Sequence, residues 1–126
     1  MKRVVITACL LIFCLAVSTY SAHRTKDATG TVNSCVERAL EAVYADDRER
    51  VKSEIEYLRE YWDIEEDYII HFLRHTQIDN LTLSVARLRA YAESEKYDDL
   101  VAELDSIRWQ MDHINRSERM IWENLF

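Results

Sequence analysis

The sequence predicts an all-α protein in which an N-terminal hydrophobic signal-anchor helix is followed by an antiparallel helical bundle of two stacked hairpins. The 126 residues include no proline and only one glycine, so residues that break helices are almost absent. Apolar residues recur at helical spacing from Val36 to the C-terminus. A chain of this length has room for one domain, and that domain is large enough to bury a core.

Residues 1–22 have the layout of a signal peptide or a membrane anchor. Lys2 and Arg3 precede an apolar run that carries no charge from Val4 to Val17. A helix over residues 4–22 reaches about 28 Å, enough to span a bilayer. Small residues near Ser18 also allow cleavage, so anchor and cleaved leader are both open. The two basic residues favour a cytoplasmic N-terminus and a domain on the other side of the membrane.

The rest of the chain divides into a predicted linker and a predicted helical domain. Residues 23–33 are mostly polar and contain Gly30, which predicts a linker. Ser34 and Glu37 fit a capping box, in which each side chain bonds a free backbone amide of the other residue. We therefore expect the helical domain to occupy residues 34–126.

Corners and caps divide this domain into helices. A corner is expected at Tyr44 to Asp47, followed by a long second helix over residues 47–75 that has a possible bend at residues 63–67. Asp79 or Asn80 is expected to cap a third helix, Asp98 a fourth and Ser117 a short last one. The predicted core consists of Val36, Ala39, Leu40, Val43, Val51, Ile55, Leu58, Trp62, Ile69, Leu73, Leu81, Val85, Leu88, Tyr91, Val101, Leu104, Ile107, Met111, Ile121 and Phe126.

The two halves of the domain share one apolar pattern. When the sequence is shifted by 49 positions, Val51 falls on Leu100 and Ile55 falls on Leu104. This match predicts two helical hairpins of one design that pack on each other.

The charge of the domain excludes one class of ligand. From Thr31 onward 12 Lys and Arg residues stand against 22 Asp and Glu residues. A surface with this excess of carboxylates repels phosphate backbones, so we expect no binding to nucleic acid.

His71, His75 and Asp79 raise two alternatives. On one unbroken helix their spacing of four residues would place two imidazoles and a carboxylate on one face, as in some zinc sites. In the structural alternative, His75 lies in the last turn of a helix and Asp79 caps the next one, with Asn80 beside it, so that these residues form a corner.

Other signs of chemistry are missing from the sequence. The acidic residues between Glu60 and Asp67 lack the spacing and the glycine of a calcium loop, and a single glycine cannot build a phosphate-binding loop. No serine or cysteine stands in a known nucleophile motif. We expect no enzyme activity, no cofactor and no small-molecule substrate.

Aromatic residues are numerous for a small helical domain, and most of them are expected in the core. Tyr61 and Tyr68 fall away from the stripe formed by Ile55, Leu58 and Trp62. These two tyrosines are therefore candidates for an exposed patch that binds a partner protein.

Several segments resemble an uncharacterised bacterial family of small membrane-anchored helical proteins, the DUF4363 family. They are His75-x-x-Ile78-Asp79-Asn80, Leu83-Ser84-Val85-Ala86-Arg87-Leu88-x-x-Tyr91, Ala102-Glu103-Leu104, His113-Ile114 and Glu123-Asn124-Leu125-Phe126. The resemblance covers essentially the whole chain and implies a single-pass membrane protein whose helical domain faces outward. It implies no activity, because none is established for the family.

These observations lead to one expected function and two alternatives. The first is a non-enzymatic helical domain, tethered to the bacterial membrane through residues 4–22, that mediates binding to an envelope protein or assembly outside the cytoplasm. The second is an exported metal-binding or metal-sensing domain that uses His71, His75 and Asp79. The third is a small secreted signalling bundle, which requires cleavage of the leader.

Overall fold

The chain forms an antiparallel bundle of four helices. The computed structural model describes residues 1–71 and 73–125, apart from the side chain of Leu125. Its helices are α1 (Lys2–Tyr44), α2 (Arg48–Ile69), α3 (His75–Glu93) and α4 (Tyr97–Leu125), and the described residues include no strand. α1 and α3 each pack against both α2 and α4, so the helices form a ring of four neighbours. The predicted all-α fold of two stacked hairpins is confirmed.

α1 is one uninterrupted helix that contains both the apolar segment and the first helix of the bundle. The linker predicted over residues 23–33 is therefore wrong, and so is the helix start at Ser34. Thr25, Ala28, Thr29 and Val32 in this stretch are buried against the neighbouring helices. Burial of these small side chains stabilises a helix that the polar composition and Gly30 did not predict.

In every helix a set of buried positions recurs in steps of three and four residues, with one step of seven from Trp62 to Ile69 in α2. This heptad spacing keeps one mainly apolar stripe of each helix facing the bundle axis where that helix packs in the bundle. The stripes are Thr25, Ala28, Val32, Cys35, Ala39 and Ala42 in α1; Val51, Ile55, Leu58, Trp62 and Ile69 in α2; Ile78, Leu81, Val85, Leu88 and Ala92 in α3; and Leu100, Leu104, Ile107, Met111 and Ile114 in α4.

Most of the predicted core is buried, with a few corrections. Val43, Leu73, Tyr91 and Val101 are partly buried and pack against the core from its edge. Ile121 is exposed, because α4 at this point lies beside the part of α1 that extends beyond the bundle. Phe126, a residue of the predicted core, lies outside the described residues.

The corners within the two hairpins have the same backbone geometry at an offset of 49 residues. In the α1–α2 corner, the Asp47 N–H donates to the Ala42 carbonyl and Asp46 has a positive φ of 54°. In the α3–α4 corner, the Lys96 N–H donates to the Tyr91 carbonyl and Glu95 has a φ of 56°. Both corners are Schellman motifs, which bond the last free carbonyls of a helix.

The predicted corner at Tyr44 to Asp47 is thus confirmed, and it also starts the next helix. The Asp47 carboxylate accepts a hydrogen bond of 3.2 Å from the Arg50 N–H and caps α2. The two corners lie at the same end of the bundle, because Arg48 Nη1 is 2.8 Å from Glu95 Oε1.

Two predicted helix boundaries are wrong. α2 ends at Ile69 instead of continuing to His75, and it passes through the acidic residues 63–67 without a break. α4 continues through Ser117, so no separate last helix begins there. In both cases the packing of the buried stripes determines where the helix ends. Capping residues in the local sequence do not reveal this packing.

Gly30 gives a direct test of the continuous α1 helix. It lies inside the helix and is exposed, and a Cβ at this position would have no atom within 4 Å. Gly30→Ala is therefore expected to raise the free energy of unfolding by about 1 kcal/mol, the difference in helix propensity between the two residues. Chemical denaturation of the full chain in detergent, followed by circular dichroism, measures this change.

Gly30→Pro is the matched control and should lower the free energy of unfolding by roughly 3 kcal/mol, because proline breaks the helix. If residues 23–33 formed a linker, neither substitution would change it measurably.

Candidate functional site

The structure separates the three residues of the possible metal face. His71 lies in the corner between α2 and α3, whereas His75 is the first residue of α3 and Asp79 lies one turn later. Because α2 ends before His71, the three side chains do not share one helix face. Among the described residues no group of three or more His, Cys, Asp and Glu side chains is placed to hold a metal ion.

The predicted roles of His75, Asp79 and Asn80 in a corner are also wrong in detail. The corner occupies residues 70–74 and precedes all three residues. His75 lies in the first turn of α3 instead of the last turn of α2, and Arg74 is the residue that precedes α3. Asp79 and Asn80 are exposed within the helix, so neither caps it.

Tyr61 and Tyr68 lie where α2 packs against α1. Arg24 stacks over the Tyr68 ring at 4.1 Å, and Arg24 Nη2 is 3.2 Å from Glu65 Oε1. Two heptads further along α1, Arg38 repeats this arrangement with Glu54 at 3.0 Å and Tyr57 at 5.4 Å from the ring centroid. We call this row of contacts the α1–α2 seam.

The middle of the α1–α2 seam contains Tyr61, which is half-buried against the core. Burial raises the pKa of Tyr61, and a side-chain hydrogen bond with Thr31 opposes this shift. Arg24, Thr31 and Arg38 follow one another at steps of seven residues, so the seam has the heptad period of the core beside it. Tyr61 is thus mainly a packing residue, whereas half of Tyr68 remains exposed.

Cys35 lies beneath the α1–α2 seam and is completely buried. Arg38 Nη2 donates to its sulfur at 3.4 Å. Burial raises the pKa of the Cys35 thiol, although the charge of Arg38 acts in the opposite direction. A buried thiol with a raised pKa is a poor nucleophile, because the thiolate is the reactive form.

A groove on the other side of the bundle carries the largest exposed aromatic residue. Trp109 is 67% exposed, and its ring stacks on His113 with 5.2 Å between centroids and an angle of 5° between planes. Beside it, Gln110 Nε2 donates to Ser84 Oγ at 3.1 Å and joins α4 to α3. We call this depression the α3–α4 groove; it encloses about 190 Å³ between Gln77, Asn80, Trp109, Gln110, His113 and Ile114.

A larger cleft opens where α1 leaves the bundle, and we call it the base cleft. It encloses about 500 Å³. One wall is the face of α1 formed by Leu11, Cys14, Leu15, Val17, Ser18 and Ser21. The other walls come from the α2–α3 corner, through His71, and from the end of α4, through Glu118, Ile121 and Trp122.

Glu118 follows the heptad spacing of α4, seven residues after Met111 and four after Ile114, and it is partly buried. Its carboxyl group has no hydrogen-bond or ion-pair partner among the described residues, and burial raises its pKa. No hydrogen bond joins Ser18, Ser21, His71 and Glu118 within the described part of the chain. These side chains therefore do not form the linked nucleophile and base that covalent catalysis requires.

The sequence matches the model of a known protein family. A family model described as a domain of unknown function (DUF4363) matches residues 19–125. The chain belongs to this family. The match includes the stretch predicted as a linker, in agreement with the continuous α1 helix. No curated protein and no solved structure matches the chain.

Sequence reasoning missed the two features that stand out in these sites. Trp109 was not selected for the exposed patch, although it lies two residues from both Ile107 and Met111 and therefore away from the buried stripe of α4. Glu118 was not selected, although its spacing from Met111 and Ile114 places a carboxyl group on a buried stripe. The signal in the sequence is the spacing of Trp109 and Glu118 from the buried residues of α4.

We expect Cys35 to be unreactive in the folded protein. Iodoacetamide at neutral pH should leave Cys35 unmodified and should alkylate it only when the protein is unfolded in guanidinium, because the native thiol is buried and protonated. Peptide mass spectrometry measures the modification. Ser34→Cys places a thiol at the exposed neighbouring position and serves as the control. Equal rates at positions 34 and 35 would contradict the buried position of Cys35.

Glu118→Gln is expected to stabilise the fold at neutral pH. A carboxyl whose pKa is raised by burial destabilises the folded state above that pKa, and this penalty disappears below about pH 4, where the group is protonated in both states. The gain should be small, because Glu118 is only partly buried and solvent still screens its charge. Unfolding in guanidinium at several pH values measures it.

Glu123→Gln makes the same change at a side chain that is exposed on the same helix. It should leave the free energy of unfolding nearly unchanged. A stabilisation that is the same for both variants, or that is independent of pH, would contradict the burial of Glu118.

Proposed function

We propose that this protein is a non-enzymatic helical domain, tethered to the bacterial membrane and exposed on its extracytoplasmic side, that mediates binding to another envelope protein or assembly of a complex. Residues 4–22 provide the tether in this proposal. The bundle that follows provides the surface for the partner.

The continuous α1 helix is the observation that carries the proposal. α1 is the helix in the described range that is long and apolar enough to cross a membrane, and its apolar window is not buried in the protein. Length and composition of this kind also fit a signal peptide. The continuous connection to the bundle favours a membrane anchor over a cleaved signal peptide. A membrane helix that continues as a core helix fixes the distance and the orientation of the domain relative to the membrane surface.

The charges at the ends of the apolar segment support the proposed orientation. Lys2 and Arg3 precede the segment and favour a cytoplasmic N-terminus. Arg24, which follows it, is engaged in the α1–α2 seam by Glu65, so its charge is compensated within the bundle. Lys26 also follows the segment and is exposed, so the orientation rests on Lys2 and Arg3, which lie directly beside the apolar run and favour a bundle outside the cytoplasm.

The α3–α4 groove is the surface that best fits a partner protein. An exposed tryptophan beside polar side chains has the composition of an interface hot spot. The stacking on His113 restricts the Trp109 ring, so less side-chain entropy is lost when a partner covers it. Tyr68 remains a second candidate because half of its surface is free, whereas most of Tyr61 is covered by the protein itself.

Photo-crosslinking in intact cells tests the proposed interaction. A benzoylphenylalanine residue in place of Trp109 should trap a specific envelope protein, and one in place of Tyr68 should trap it less efficiently. Lys52, which is exposed on α2, provides the control position. Equal yields at positions 52 and 109, or no protein trapped at position 109, would contradict a partner site in the groove.

Extraction of the same cells with alkali tests the tether. The intact chain should remain in the membrane pellet, and trypsin added to cells without an outer wall should digest the bundle. Release of a chain that has lost its first 18 to 22 residues would instead favour the secreted signalling bundle.

A further inference from the structure

The base cleft has a composition that changes along its depth. Its wall furthest from the bundle is apolar and formed by Leu11, Cys14 and Leu15. Its wall nearest the bundle carries the hydroxyl groups of Ser18 and Ser21 together with His71 and Glu118. With residues 4–22 in a bilayer, the apolar part lies at the level of the acyl chains and the polar part at the level of the headgroups.

The face of α1 in the cleft continues the stripe that packs the bundle. Thr25 and Ala28 are buried in the core, and the same steps of three and four residues lead back to Ser21, Ser18, Cys14 and Leu11. The interface that α1 forms with α2 and α4 is therefore continuous with the wall of the cleft. Small and hydroxyl-bearing residues on such a face allow another molecule to pack closely against it.

The bundle restricts what can occupy the cleft. Because the stripe faces the bundle axis, the α2–α3 corner and the end of α4 lie over the cleft. A membrane helix from a second copy of this chain would have to continue into the space that this bundle already fills. The occupant must instead end at the membrane surface, as a lipid does.

The charges in the cleft select among lipids. Among the described residues that line it, Glu118 is the only one with a carboxylate, and none is a lysine or an arginine. The carboxylate attracts a cationic headgroup and repels an anionic one. The hydroxyl groups of Ser18 and Ser21 and the imidazole of His71 can donate hydrogen bonds to a lipid phosphate.

We propose that the base cleft binds one phospholipid with a primary-amine headgroup, whose ammonium group pairs with Glu118 and whose acyl chain lies along Leu11, Cys14 and Leu15. The proposal rests on the membrane tether proposed above. The bound lipid fills the space between α1 and the end of α4 and fixes the bundle against the bilayer surface.

Quenching of Trp122 fluorescence by brominated lipids tests this proposal. Trp122 lines the cleft, Trp62 is buried in the core, and Trp109→Phe removes the exposed tryptophan. The full chain is placed in phosphatidylcholine nanodiscs that contain a small fraction of brominated phosphatidylethanolamine, phosphatidylcholine or phosphatidylglycerol. Phosphatidylethanolamine should quench roughly threefold more than phosphatidylcholine, the enrichment expected from a partly exposed ion pair.

Two substitutions separate the ion pair from general lipid contact. Glu118→Gln should abolish the preference for phosphatidylethanolamine, whereas Glu123→Gln, which removes an exposed charge from the same helix, should leave it unchanged. Equal quenching of the unsubstituted protein by all three lipids, or stronger quenching by phosphatidylglycerol, would overturn the lipid site while leaving the tether intact.

Two further outcomes would also count against it. Quenching by none of the lipids would overturn both the tether and the lipid site, because Trp122 would then lie away from the bilayer. A preference for phosphatidylethanolamine that persists in the Glu118→Gln variant would show that the headgroup ammonium does not pair with this carboxylate.

Discussion

Small side chains at every third or fourth position of α1 determine how closely the other helices approach it. Thr25, Ala28, Ala39 and Ala42 are all buried, and the distance between two packed helices depends on the size of the side chains at the contact. Because α1 is the helix that joins the apolar segment to the bundle, this close packing holds the whole domain to that segment. The α1–α2 seam adds ion pairs and cation–π contacts along one edge of the same stripe.

The two hairpins repeat one solution to the problem of reversing a helix without glycine. Asp46 and Glu95 take the left-handed conformation that glycine adopts at lower energy. Both corners still form the bonds of a Schellman motif, and Arg48 joins them with a hydrogen bond to Glu95. The buried residues of the two hairpins also correspond at an offset of 49 residues. The corners and the buried stripes therefore give the same alignment of one hairpin with the other.

Periodicity predicted most of this fold, because a heptad stripe of large apolar residues directly reports a buried helix face. It failed between residues 23 and 33, where the stripe consists of small and polar residues that resemble a linker in composition. The α2–α3 corner was predicted too far along the chain, since neither proline nor glycine marks it and the helix ends where tertiary packing requires it. Glu118 and Trp109 could not be assigned from residue type alone, because their significance depends on the neighbouring helices.

Because α1 runs without a break from the apolar segment into the bundle, the proposed membrane tether would make the domain respond to bilayer thickness. A membrane helix that is longer than the local hydrocarbon layer tilts to shorten its span. With residues 4–22 in a bilayer, as proposed, the same tilt would pass along α1 to the bundle, and the distal corners around Asp46 and Glu95 would move furthest. A thicker or thinner membrane would then change the angle between the domain and the membrane surface.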